Sequence, residues 1–213
     1  MISFVTFEGG DGTGKTTQIR AAENYLREHK RACVVTREPG GTELGKLIRR
    51  VLLEAGDHQI APTTELFLYL ADRAQHVNQI ILPAIRAGKI VLCDRFTDST
   101  LAYQGYGRGI ALDWLRRLND SASEGLRPEM TFVFDCPATV GLARAAHRRS
   151  ETAADRPPED RFEREEIDFH EKVRNGFLDL ARAEPERFRT IDASRSVTEV
   201  SKQIRDILDR ELL

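Results

Sequence analysis

The sequence predicts an α/β fold, a doubly wound five-stranded parallel sheet with helices on both faces. Three observations predict it. Five short apolar runs, rich in β-branched and aromatic residues, read continuously instead of alternating, which suits strands covered on both sides. Helical patterns separate each run from the next. A glycine-rich turn joins the first run to the first helix.

The runs are Ile2 to Phe7, Ala32 to Thr36, Ile90 to Cys93, Met130 to Phe134 and a weaker one from Phe188 to Ile191. Helices are expected over Lys15 to His29, Glu43 to Glu54 and Thr63 to Ala87, the last broken or bent near Pro83. Further helical patterns cover Leu112 to Ser123, Thr139 to Arg148, Glu163 to Ala183 and Val197 to Leu212. In the last, Val197, Val200, Ile204, Ile207 and Leu208 form an inward face. His147 to Arg161 stands apart. It is polar, carries Pro157-Pro158 and holds Arg148, Arg149, Arg156 and Arg161, and it reads as a short mobile lid between two helices.

The 213 residues suit one domain spanning the chain. With 40% hydrophobic and 31% charged residues, the composition is that of a soluble globular protein. A net charge of -2 gives no sign of a nucleic-acid partner. No apolar stretch has the length of a membrane span, and no basic region precedes the first apolar run, so neither a membrane partner nor a signal peptide is expected. Cys33, Cys93 and Cys136 are odd in number and scattered, and they read as small hydrophobes in a reducing, cytoplasmic setting.

The strongest chemical signal is Gly9-Gly10-Asp11-Gly12-Thr13-Gly14-Lys15-Thr16, which fits G-x-x-x-x-G-K-[ST] between a strand and a helix. Glycines let successive N–H groups turn toward one anion, and the helix N-terminus adds to the attraction. Lys15 is placed to reach the β- and γ-phosphates of ATP, the hydroxyl of Thr16 to ligate Mg²⁺, and Thr17 lies beside it in the first helical turn. Asp11 is unexpected among phosphate-binding groups. It either faces away, toward a metal or an acceptor hydroxyl, or stabilises the turn through its own backbone.

A second feature is Cys93-Asp94-Arg95-Phe96 at the end of an apolar strand. The carboxyl ends of strands line the ligand crevice of such sheets. Asp94 there can hold a metal-bound water and Arg95 a second phosphate; the alternative is a pair that merely closes the strand. The N-K-x-D stretch of switch GTPases, the L-S-G-G-Q stretch of ABC-type ATPases and the acidic motifs of helicases are missing.

Several ordered pieces then resemble bacterial thymidylate kinases, from Phe4 to about Ala181. They are Phe7-Glu8-Gly9-Gly10-Asp11-Gly12, Arg37-Glu38-Pro39-Gly40-Gly41-Thr42, Ala71-Asp72-Arg73-Ala74-Gln75-His76, the stretch Asp94 to Gly105, and Asp160-Arg161-Phe162-Glu163. The resemblance implies the P-loop NTPase fold, phosphorylation of dTMP with MgATP, and a homodimer. It further implies that Tyr69 lies against thymine, that Arg73 contacts the base, and that Arg95 meets the acceptor phosphate. Ser99, Thr100 and Gln104 would face the base, Tyr103 would separate deoxyribose from ribose, and the turn containing Arg37 and Pro39 would close one wall.

Independent chemistry supports these roles, because arginine offers a planar fork and glutamine matches a pyrimidine edge. Tyr69 and Phe67 both have the alternative of core packing on a helix; packing is expected for Phe67 and stacking for Tyr69. Some family members carry an arginine at position 12, where this chain has Gly12, so the resemblance implies that the arginine answering transition-state charge comes from the lid. Arg156 is the first choice and Arg148 or Arg149 the second; each has the alternative of a solvated charge. Arg161 is assigned to lid anchoring or ATP contact. Other readings are a kinase for another nucleoside monophosphate or a deoxynucleoside, and a non-enzymatic nucleotide-dependent switch.

Overall fold

A computed structural model describes residues 2–53, 60–151 and 161–212, with the side chains of 148–151 and 163 left aside. The strands are β1 (Phe4–Gly9), β2 (Cys33–Arg37), β3 (Ile90–Asp94), β4 (Met130–Asp135) and β5 (Phe188–Asp192). They form one five-stranded sheet in the order β2-β3-β1-β4-β5, and every pairing is parallel. All five expected strands are present, each extending one or two residues further toward its carboxyl end. From β1 the chain moves to one side for β2 and β3 and later to the other for β4 and β5, so the crevice opens beside β1. Register aligns the carboxyl ends: Phe7 lies opposite Asp94, and Arg37 is paired with Asp94 on the other flank.

The helices are α1 (Lys15–Glu28), α2 (Glu43–Leu53), α3 (Pro62–His76), α4 (Leu82–Arg86), α5 (Thr97–Thr100), α6 (Leu112–Ala122), α7 (Ala138–Glu151), α8 (Ile167–Ala183) and α9 (Val197–Glu211). On one face of the sheet, Ile19, Ala22 and Leu26 of α1 meet Val200, Ile204 and Leu208 of α9 over Val5, Phe7 and Phe132. On the other face, Phe169, Val173 and Phe177 of α8 pack with Leu66, Leu101 and Tyr103. Phe4 and Phe96 join Val77 and Ile81 in a third cluster.

Three helical expectations need refinement, and one further segment is helical. The segment Thr63 to Ala87 is not broken at Pro83. It passes from α3 through a π-helical stretch, Val77–Ile81, into α4, with the Leu82 N–H bonded to the Val77 carbonyl. Pro83 has no N–H and crowds the carbonyl four residues back, and a widened turn just before it accommodates both effects. Thr97 to Gly107, read only as a motif, is helical: α5 continues as a π-helical stretch, Leu101–Gly107. Its threonines and glycines hide that helix from propensity, and packing against α8 overrides them. The expected helix from Glu163 begins at Ile167, because Glu166 is extended and a 3₁₀ turn, Arg161–Arg164, precedes it. Helix α7 runs to Glu151, past its expected end, into the segment read as a lid; residues 152–160, Arg156 among them, lie outside the described residues.

Val197, expected on the inward face of α9, is instead 61% exposed at the first position of the helix. Phe67 is also corrected. It is 52% exposed, with its ring edge toward Trp114 at 6.4 Å between centroids. Leu66 and Leu70 take the inward face of α3, which turns Phe67 outward. The three cysteines are free, with Cys93 and Cys136 buried.

Helix α9 is fastened by a capping box: the Glu199 N–H donates to Ser196 Oγ, and the Ser196 N–H donates to the Glu199 carboxylate. Ser196→Ala is expected to cost about 1 kcal/mol in urea unfolding, the usual loss of an N-cap, with no change in catalytic rate.

Candidate active site

The turn between β1 and α1 folds into a nest around one point. Gly9 and Gly12 have φ of +132° and +70°, conformations that side chains disfavour. Gly12 also has no room for a side chain, since a Cβ there would lie 1.8 Å from the Gly141 carbonyl oxygen on α7. Position 12 therefore has no place for an arginine in this backbone. Lys15 begins α1 and lies back over the turn, its Nζ donating to the carbonyls of Gly9 at 3.0 Å and Gly10 at 2.6 Å. Burial, then the charge of Arg95, lowers its pKa to about 8. Thr13 donates its hydroxyl to the Gly10 carbonyl, tightening the turn.

Thr16 and Asp94 meet beside this nest. The Thr16 hydroxyl donates to Asp94 Oδ2 at 3.4 Å, and Asp94 Oδ1 is a buried oxygen with no hydrogen-bond partner among the described residues. A hydroxyl and an unsatisfied carboxylate oxygen are hard donors of the kind Mg²⁺ takes.

Arg95 follows β3 in a left-handed conformation, φ +69°. Its Nη1 donates to the Gly9 carbonyl at 2.9 Å and to Ser99 Oγ at 3.2 Å; its Nη2 donates to Asp11 Oδ1 at 2.6 Å and to the Tyr103 hydroxyl at 3.1 Å. Tyr103 in turn donates to Asp11 Oδ2 at 3.2 Å. Asp11 thus faces the second half of the cleft, not its own backbone. Burial would raise its pKa, but Arg95, Lys15 and His170 together hold it below the usual value.

One cleft of about 250 Å³ joins the nest to the second half. Its lining includes the expected Thr17, Arg37, Pro39, Tyr69, Arg73, Ser99, Thr100, Tyr103 and Gln104. Arg73 is buried, donating Nε to Glu38 at 2.9 Å, Nη1 to Thr100 Oγ1 and Asn119 Oδ1, and Nη2 to the Phe96 carbonyl. Gln104 donates to Glu65 at 2.8 Å. Arg161 is placed differently: its Nε donates to the Leu52 carbonyl and its Nη2 to Glu65, which fastens the 3₁₀ turn to α2 and α3. The side chains of Arg148 and Arg149, like all of Arg156, lie outside the described residues.

Three carboxylates beneath the cleft were not assigned roles from sequence. Glu8 accepts the Phe96 N–H at 2.7 Å and the Ser99 hydroxyl at 2.6 Å. Glu38 accepts from Arg73 and contacts His76 Nδ1 at 2.9 Å. Glu65 accepts from Gln104, Arg108 and Arg161. A glutamate directly after the apolar run of β1 and another inside the Arg37 turn were the available signals for the first two.

A glycine-rich nest under Lys15 sharing a cleft with an arginine-lined second seat is the arrangement of a P-loop kinase that acts on a nucleotide. The chain matches the family model described as Thymidylate kinase over residues 7–204. It is 53% identical to the thymidylate kinase of Geobacter sulfurreducens over 205 residues, covering 96% of this chain and 95% of the relative. It is 50% identical to that of Desulfovibrio desulfuricans, covering 98% and 96%. The crystal structure of thymidylate kinase from Ehrlichia chaffeensis superposes with a TM-score of 0.76 at 33% identity, covering 97% of this chain and 98% of that one. The chain belongs to the thymidylate kinase family.

Burial, then the charge of Asp98, raises the Glu8 pKa from 4.5 to about 8. The folded state therefore keeps a proton that the unfolded chain releases, so Glu8 contributes stability that is full below pH 4.5 and lost as pH rises through 8. Urea melts of the native chain and Glu8→Gln should show the native chain losing stability relative to the variant between pH 5 and 8. A constant difference across that window contradicts the assignment.

Proposed function

We propose that this chain transfers the γ-phosphoryl group of ATP to dTMP, with Mg²⁺ as the metal. The observation that carries the reading is the Arg95–Asp11–Tyr103 cluster facing the Lys15 nest across one cleft, which supplies two neighbouring anion seats. The donor's phosphates lie on the backbone N–H groups of Gly9 to Thr16, with Lys15 swinging from the loop carbonyls to the β- and γ-phosphates. Thr16 and Asp94 would hold Mg²⁺, which when bound offsets phosphate charge.

The acceptor's own phosphate is the nucleophile and is already an oxyanion, so no strong general base is required. Arg95 neutralises it enough for approach, and Asp11 and Tyr103 keep Arg95 aimed. Tyr69, which lines the cleft and is partly buried against the core cluster beneath it, supplies an aromatic face worth ~1–3 kcal/mol by comparison with stacked bases elsewhere. Because Gly12 leaves no room for a loop arginine, the cation that answers transition-state charge is assigned to the 147–161 segment, Arg156 first.

The homodimer is also part of the proposal. Leu44, Leu47 and Val51 form a stripe on one side of α2, each about half exposed, and Phe67 of the adjoining α3 is exposed as well. An apolar stripe of this kind suits a second copy of the chain. No helix of the described residues is long and apolar enough to cross a membrane. The free cysteines support a cytoplasmic setting.

A panel of dTMP, dUMP, AMP, GMP and thymidine with MgATP tests the assignment. Turnover should be fastest on dTMP; turnover fastest on AMP or GMP overturns the thymidylate reading. Lys15→Ala and Arg95→Ala should stay folded by circular dichroism and lose about 10²–10³-fold in kcat/KM, the usual loss for a charge-stabilising group. Leu47→Glu should sediment as a monomer.

A further inference from the structure

Glu65 touches no part of the phosphate machinery, yet it is fully buried and sits behind the base-facing half of the cleft. Its carboxylate is held by Arg161 Nη2 at 2.5 Å and Arg108 Nη2 at 3.4 Å. A carboxylate between two guanidinium groups only accepts hydrogen bonds. Gln104, 2% exposed, places an amide end 2.8 Å from Glu65 Oε1. Two oxygens at that separation would repel, so this end must be the NH₂, and chemistry fixes an orientation that amide shape alone leaves open. The carbonyl oxygen of Gln104 is then the end that remains for the cleft it lines.

Arg73 supplies the opposite polarity nearby. Four of the N–H groups of its guanidinium are taken by Glu38, Thr100, Asn119 and the Phe96 carbonyl. The second N–H of Nη2 has no such partner among the described residues, and Arg73 lines the same cleft. The base seat thus offers one donor and one acceptor. A 4-oxo pyrimidine presents a carbonyl and an N3–H, the matching pattern. A 4-amino pyrimidine presents an NH₂ and a bare N3, the reverse at both positions.

We propose that Glu65 is a specificity-setting positioning residue: by locking the Gln104 amide with its oxygen toward the base, it makes the pocket accept thymine or uracil and reject cytosine. The inference rests on the nucleoside monophosphate reading of the cleft. It depends on Arg161, at the end of the 147–161 segment, which holds Glu65, but not on the cation assigned to transition-state charge or on the metal. Sites built for a hydrogen bond reject mismatched analogues strongly, because buried polar groups are left unpaired.

The test compares kcat/KM for dTMP and dCMP in the full chain, the native protein against Glu65→Gln. The amide that this substitution introduces can donate as well as accept, so Gln104 is free to turn over and offer its NH₂ to cytosine. The dTMP-to-dCMP ratio should fall by at least about tenfold, chiefly through a lower KM for dCMP, the size of one tenfold step in differential binding. The exchange variant Glu65→Gln/Gln104→Glu returns an obligatory acceptor to the cleft and should restore discrimination. A folded Glu65→Gln whose ratio stays within about twofold of native overturns the proposal. Should that variant not fold, Gln104→Met leaves Glu65 and its arginines intact; it should lose the same discrimination, and an unchanged ratio overturns the proposal. A native protein active on dTMP with a failed variant test refutes only the role of Glu65. A native protein inactive on dTMP refutes the proposed function itself.

Discussion

Everything in the cleft depends on where Arg95 points. The residue follows the last position of β3 and adopts φ +69°, a conformation that costs a non-glycine residue about 1–2 kcal/mol. Several bonds offset that cost. The Arg95 N–H reaches the Phe7 carbonyl, so the turn is tied to β1, the strand that leads into the phosphate nest. The guanidinium is fixed at Gly9, Ser99, Asp11 and Tyr103, which fastens it to that nest and to the helix that follows β3. The left-handed turn is what directs a strand-end arginine across the sheet edge onto the loop, and parallel pairing of Phe7 with Asp94 sets the distance it has to span.

Beneath this arginine lies a layer of buried acids, each serving a different polar group of the cleft. Glu8 holds Phe96 and Ser99, which follow Arg95 in the chain; Glu38 holds Arg73; Glu65 holds Gln104. Burying charge is costly unless every partner is in place. The benefit is that the cations and amides meeting substrate are oriented before it arrives, which is where electrostatic catalysis and discrimination gain most. Glu38 and Glu65 also pair with Arg73, Arg108 and Arg161, which keeps that half of the cleft from carrying an uncompensated cluster of positive charge.

Much of this was legible in the sequence for physical reasons. Continuous apolar runs mark doubly covered strands, and a glycine-rich turn before a helix marks a phosphate nest, because few other arrangements satisfy those patterns. Thr97 to Gly107 escaped, since its threonines and glycines are poor helix formers and only packing on α8 makes it helical. Phe67 was misplaced because periodicity fixes which residues share a face but not whether a neighbouring aromatic is left outside. Asp11 stayed ambiguous until Arg95 was seen opposite it, a contact 84 residues away in sequence that no local pattern carries. Glu65 gave no signal, because its meaning lies in Gln104 and Arg161, brought to it from distant elements.

The central claim is that Arg95 forms the seat for the acceptor's phosphate, in a chain that phosphorylates dTMP. Calorimetric titration of dTMP and of thymidine into the native protein and into Arg95→Ala isolates that seat, because the two ligands differ only in the phosphate. The native protein should bind dTMP far more tightly than thymidine, and the variant should bind the two about equally. An undiminished preference for dTMP in folded Arg95→Ala would contradict the account.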